Sequence, residues 1–119
     1  MTVSPELPVE DQKLVTLARA TRARTGAAEG AAVRDLDGRT YAGATVELPS
    51  LSISAIGVCV AMALSSGSRG LEAAVLLTES DQPAEADLDV LRDFGGDGVV
   101  LHLADPTGRL RNTLDTTKE

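Results

Sequence analysis

From Pro49 to Ser68 the chain reads PSLSISAIGVCVAMALSSGS, without one charged side chain, although 24% of all residues are charged. A run of this kind has to be covered by the rest of the fold, so it constrains the architecture more than any other segment. After Pro49 it continues for roughly 15 residues without a turn signal, which exceeds ordinary strand length. Ala61, Met62, Ala63 and Leu64 are mostly good helix formers, while the Ile and Val residues also suit a strand. Length favours the helix. The run therefore predicts a helix over 51–65, capped by Ser50 or Ser52, stopped at Gly67, and buried on nearly every side.

The flanking segments supply partners for that helix. In DQKLVTLARATRAR, the residues Leu14, Val15, Leu17 and Ala18 mark one helical face, with Asp11 placed to stabilise the helix start and Gly26 to end it. EGAAVRDLDGRTYAGATVEL reads as two strands around Asp37-Gly38, a pair that supplies the positive φ angles of a tight hairpin. LEAAVLLTE reads as a buried strand, and DQPAEADLDVLRDFG as an amphipathic helix that starts near Pro83 and ends at Gly95. DGVVLHLAD is a further strand, and PTGRLRNTL contributes a short edge strand. Helix, hairpin, helix, strand, helix, strand is the order of a layered α/β fold with a mixed sheet. Residues 1–10, with two prolines, read as a flexible leader, 11–114 as a single domain and 115–119 as a frayed tail.

Composition narrows the function classes. A chain of 119 residues fits one domain. With Tyr41 and Phe94 as its only aromatics, its core must come from Ala, Val, Leu and Ile. A net charge of −7 argues against nucleic acid and anionic membrane as partners. Arg19, Arg22 and Arg24 read as cations near the C-terminal end of the first helix, complementing its dipole. A single cysteine, Cys59, allows no internal disulfide and fits a reducing cytoplasm. Neither a signal peptide nor an apolar run of about 18 residues is present in this sequence.

Three short motifs, taken in order, resemble the cytidine deaminase family: GAA at Gly30 to Ala32, DGR at Asp37 to Arg39, and TVE at Thr45 to Glu47. With the element order, the resemblance covers about three quarters of the chain. It implies a three-layer α/β/α fold with a mixed sheet of about five strands. It also implies a zinc ion held by three side chains, which makes bound water nucleophilic while a glutamate shuttles protons.

On that alignment the chemistry is missing. Ile56 stands where the first metal ligand belongs and Val58 where the glutamate belongs. In QPAEAD, Pro83 matches, but Ala84 and Asp87 replace the two remaining cysteine ligands. Asp87 alone could still bind a metal. Cys59 with His102 and Asp87 would be a new construction without motif spacing, so neither metal nor cofactor is expected; Cys59 reads as a packing residue and His102 as a hydrogen-bonded sheet residue. At the substrate side Ala27 replaces an aromatic that packs on the base, and Thr45 a ribose-contacting asparagine. Glu47 keeps its carboxylate, either for two sugar hydroxyls or as an exposed strand-end residue.

Three functions follow as expectations. The first is a catalytically inactive, cytoplasmic member of the family, a pseudoenzyme acting as a homo-oligomeric (dimeric or tetrameric) interaction or scaffold protein. The second is a binder of a nucleoside or base without turnover. The third, an active zinc-dependent cytidine deaminase, would require a metal.

Overall fold

The computed structural model describes residues 7–96 and 98–117. Helix α1 (Val9–Thr25) leads into β1 (Gly30–Asp35) and β2 (Thr40–Ala44), followed by the short strands β3 (Val46–Leu48) and β4 (Leu51–Ile53). Then come α2 (Ala55–Ser65), β5 (Leu71–Leu77), α3 (Glu85–Gly95), β6 (Val100–Ala104) and β7 (Leu110–Asp115). Five strands form one mixed sheet in the order β2-β1-β5-β6-β7. Only β5 and β6 run parallel, and α3 is the crossover that a parallel pair requires.

Strand alternation sorts side chains onto the two faces of this sheet. Ala32, Val75, Leu77 and Ala104 meet Leu14 and Ala18 of α1 on one face. Ala31, Val33, Leu76, Leu101 and Leu103 meet Ile56, Cys59 and Val60 of α2 and Leu91 of α3 on the other. The result is the expected three-layer α/β/α arrangement with a five-stranded mixed sheet. Two glycines set its spacing. A Cβ on Gly30 would lie 2.6 Å from the Ala18 carbonyl oxygen, and one on Gly43 would lie 2.7 Å from Val58 Cγ1. Both helices rest on backbone there, which a core of small side chains allows.

Several local expectations are corrected. Asp37 does not take a positive φ; only Gly38 does, at 87°, within a wider loop. Asp35 organises that loop by accepting from the Asp37 and Arg39 amides, both at 2.9 Å. Residues 51–53 are not helical: Val46–Leu48 and Leu51–Ile53 pair as a small hairpin, and α2 begins at Ala55 with Ser54 as its cap. Asp11 does not cap α1, whose N-cap is Pro8; it is buried against the sheet. Nor is α2 covered all round, since Met62 is 36% and Leu64 59% exposed.

The stop of α1 holds, while the boundaries read as leader and tail are corrected. Gly26 closes α1 in the left-handed conformation, with Arg22 and Arg24 in the last turn. Helix α1 begins at Val9, and residues 1–6 of the expected leader lie outside the described residues. Strand β7 runs to Asp115, and the buried Thr116 donates its hydroxyl to the Val99 carbonyl at 2.9 Å, within the stretch read as a tail; 118–119 lie outside the described residues. Among the described residues no helix is long and apolar enough to cross a membrane.

Candidate functional site

The N-termini of α2 and α3 meet on one face of the sheet. Ser54 has extended backbone, as an N-cap must, and its Oγ accepts the Gly57 amide at 3.0 Å. The same hydroxyl donates to Asp87 Oδ1 at 2.6 Å. Asp87 lies in the first turn of α3, where the helix dipole favours a carboxylate, and it is buried. One serine therefore caps its own helix and ties it to the next. The sequence reading missed Ser54, although a serine three residues before an amide it can cap is a detectable signal.

The four positions singled out from the sequence have different surroundings. Ile56 is fully buried and belongs to the core with Leu91 of α3. Val58 is half-buried and lies against Gly43 of β2. Ala84 is exposed, and Asp87 is engaged by Ser54. Ala84 and Asp87 do not join Ile56 in that core. Nor do the residues here fit a zinc ion, because Ile56, Val58 and Ala84 carry no donor and the Asp87 carboxylate already has a partner. Among the described residues, no three His, Cys, Asp or Glu side chains gather as a metal site would need.

Cys59 lies one turn along α2 from Ile56, fully buried in the same core. Burial pushes its thiol up to about 12, against a smaller opposing effect from a hydrogen bond with the Gly43 backbone, so at neutral pH the free thiol stays protonated. His102 sits on the opposite face of the sheet, with both ring nitrogens bonded, to Thr113 and Asp11. Cys59, Asp87 and His102 thus occupy separate environments.

Among the positions that the resemblance linked to substrate, Thr45 lies against Glu29. The Thr45 amide donates to the Glu29 carbonyl at 3.1 Å, and the Glu29 amide donates to Thr45 Oγ1 at 3.1 Å, so that hydroxyl is engaged with backbone. Ala27 is half-buried just before this pair. Glu29 Oε2 accepts from Thr78 Oγ1 at 2.6 Å, a carboxylate that the sequence reading passed over. Glu47 is exposed on β3 and accepts from Ser52 Oγ at 3.1 Å across the small hairpin.

A comparison with protein families matches residues 7–108 to the model described as cytidine deaminase-like. A search of curated proteins finds no match. Solved structures with the same fold include cytidine deaminase from Burkholderia pseudomallei, at 24% identity and TM-score 0.77 over 87% of this chain and 91% of that one. The cytidine deaminase of Mycobacterium leprae gives 21% and 0.73 over 92% and 95%, and that of Mycobacterium tuberculosis 26% and 0.68 over 88% and 91%. With the three-layer fold already described and a family match across most of its length, the chain belongs to the cytidine deaminase-like family.

Proposed function

We propose that this chain is a member of the family without zinc-dependent deaminase activity, acting in the cytoplasm as a homo-oligomeric interaction or scaffold protein. The observation that carries this reading is the Ser54–Asp87 hydrogen bond beside the buried Ile56. The resemblance would put metal ligands at Ile56, Ala84 and Asp87; in this reading the first two offer no donor, Asp87 is taken up by Ser54, and Val58 offers no group to move a proton. Oligomerisation is supported by exposed apolar side chains close in sequence: Leu48 at 60% and Leu51 at 48% on the small hairpin, with Met62 and Leu64 on α2. Leaving these in water is unfavourable, and covering them with a second copy removes that cost.

The test is made on purified protein, by metal analysis, cytidine turnover and light scattering. The expected results are no stoichiometric zinc, no loss of cytidine absorbance, and a mass that is a multiple of 12.3 kDa. The double variant Met62→Glu, Leu64→Glu should lower that mass toward one chain. Bound zinc with turnover would overturn the inactive reading; a monomeric wild-type protein at micromolar concentration would overturn the oligomeric one.

A further inference from the structure

On the face of the sheet that carries α1, three side chains from three different elements stand in line. Thr113 of β7 is directly across from His102 of β6. Its Oγ1 lies 2.9 Å from His102 Nδ1, and His102 Nε2 lies 2.7 Å from Asp11 Oδ2 on α1. The other Asp11 oxygen is 2.9 Å from Arg34 Nη2. An ionised carboxylate can only accept, so Nε2 carries a proton toward Asp11, and in the neutral tautomer the Nδ1 lone pair faces Thr113. The threonine hydroxyl is then the donor to a base held in place by a buried acid. Hydroxyl, imidazole and carboxylate in this order are the arrangement of an activated nucleophile, here with Nδ1 toward the hydroxyl.

The line opens onto a cleft of about 410 Å³. His102, Thr113 and Arg111 give it polar wall, and Leu7, Pro8 and Leu110 give it apolar wall. Thr113 is exposed and lines the cleft while His102 and Asp11 are buried, so the base is shielded from water. Arg111 Nη1 is taken up by the Thr78, Glu79 and Ser80 carbonyls, at 3.5, 3.2 and 2.8 Å, and lies 3.8 Å from Asp81 Oδ1, so its other N–H groups carry its charge toward the cleft.

We propose that this cleft is a second site, independent of the α2–α3 site, that hydrolyses small esters with an apolar acyl or alkyl group. Thr113 Oγ1 attacks the ester carbonyl carbon and its proton passes to His102 Nδ1. The carbonyl electron pair moves onto oxygen, where the Arg111 charge stabilises it. Collapse expels the alkoxide, which takes the proton from Nδ1 and leaves an acyl group on Thr113. Water then attacks that acyl carbon, its proton goes to Nδ1, and Thr113 departs as its hydroxyl, giving acid and alcohol. Asp11 positions the ring and balances its transient charge.

The experiment uses the full chain with p-nitrophenyl butyrate and, separately, a fluorophosphonate probe that adds to nucleophilic hydroxyls with loss of fluoride. The expected results are saturable hydrolysis, a probe adduct on the peptide containing Thr113, and a loss of about 100-fold or more in Thr113→Val, matching the usual worth of a base-activated group. Thr113→Ser should retain most of the rate, which a structural role for the methyl group would not produce. By circular dichroism Thr113→Ser should melt as the parent does, while Thr113→Val, which leaves the buried His102 Nδ1 without its hydroxyl partner, should melt lower but remain folded at the assay temperature. Equal rates in the parent and Thr113→Val, hydrolysis no faster than buffer, or an adduct anywhere but Thr113 would each overturn the proposal.

Discussion

The two faces of the sheet are held by different physics. Toward α2 and α3 the contacts are aliphatic, with Ile56, Val60, Leu76, Leu91, Leu101 and Leu103 forming a continuous core. Toward α1 many of the small side chains are alanines, and the space beside them holds a chain of polar groups from Glu72 through Arg34, Asp11 and His102 to Thr113. A sheet with one oily face and one charged face should respond asymmetrically to loss of a polar group. On the α1 side such a group neutralises others that are buried with it; on the α2 side it trims the end of a helix already held by packing.

The largest effect is therefore expected from Asp11. Asp11→Ala leaves Arg34 with only the more exposed Glu72 and His102 Nε2 without an acceptor, so the cost should lie at the lower end of the about 3 to 5 kcal/mol for breaking a buried ion pair. Asp11→Asn still offers an oxygen to His102 and should cost less. Urea titration of both variants measures this. If Asp11→Ala unfolds at the same urea concentration as the parent, the α1 face is held by packing after all and the contrast between the faces disappears.

A smaller effect is expected at the corresponding point on the other face. Ser54→Ala removes the cap of α2 and leaves Asp87 Oδ1 without its donor, for about 1 to 2 kcal/mol. Its midpoint in the same titration should lie between those of the parent and Asp11→Ala. The reverse order would mean that the junction of α2 and α3, rather than the charged chain, is the main polar anchor of the fold.

The sequence revealed these two faces unevenly, for a physical reason. The β1–β2 hairpin around Asp37-Gly38, the Gly26 stop of α1, and the helical run through Cys59 rest on local preferences, which a short window of residues carries. The partnership of Asp11 with His102 joins residues far apart in the chain, and no periodicity or motif encodes it; Asp11 instead resembled a cap. Residues 46–53 misled for another reason. Two strands of three residues joined at Pro49-Ser50 are too short to show alternation, and the neighbouring uncharged run absorbed the second one into the helix. At the candidate site, Ile56, Ala84 and Asp87 were singled out through the resemblance alone. That Ser54 would take up the Asp87 carboxylate was not legible, because the bond depends on two helix ends meeting in space.

The smallest effect tests whether the aliphatic face has an acid-sensitive group of its own. Asp35 of β1 points to that face, fully buried, and accepts from Ser68 Oγ as well as from the loop amides. Burial by itself pushes its carboxyl up, but the Ser68 hydroxyl, the Arg39 and Asp37 amides and the Arg39 charge outweigh it and hold the group below the ordinary carboxylate value near 3.8. A carboxyl depressed in the folded state stabilises the protein above that ordinary value, and the contribution is lost as pH falls through the depressed one. Asp35→Asn should therefore be less stable than the parent at neutral pH, with the gap narrowing once the pH drops below about 4. Thermal melts of parent and variant across this range measure the gap. A constant gap would mean that Asp35 contributes through shape and hydrogen-bond geometry alone, leaving acid sensitivity on this face to other carboxylates.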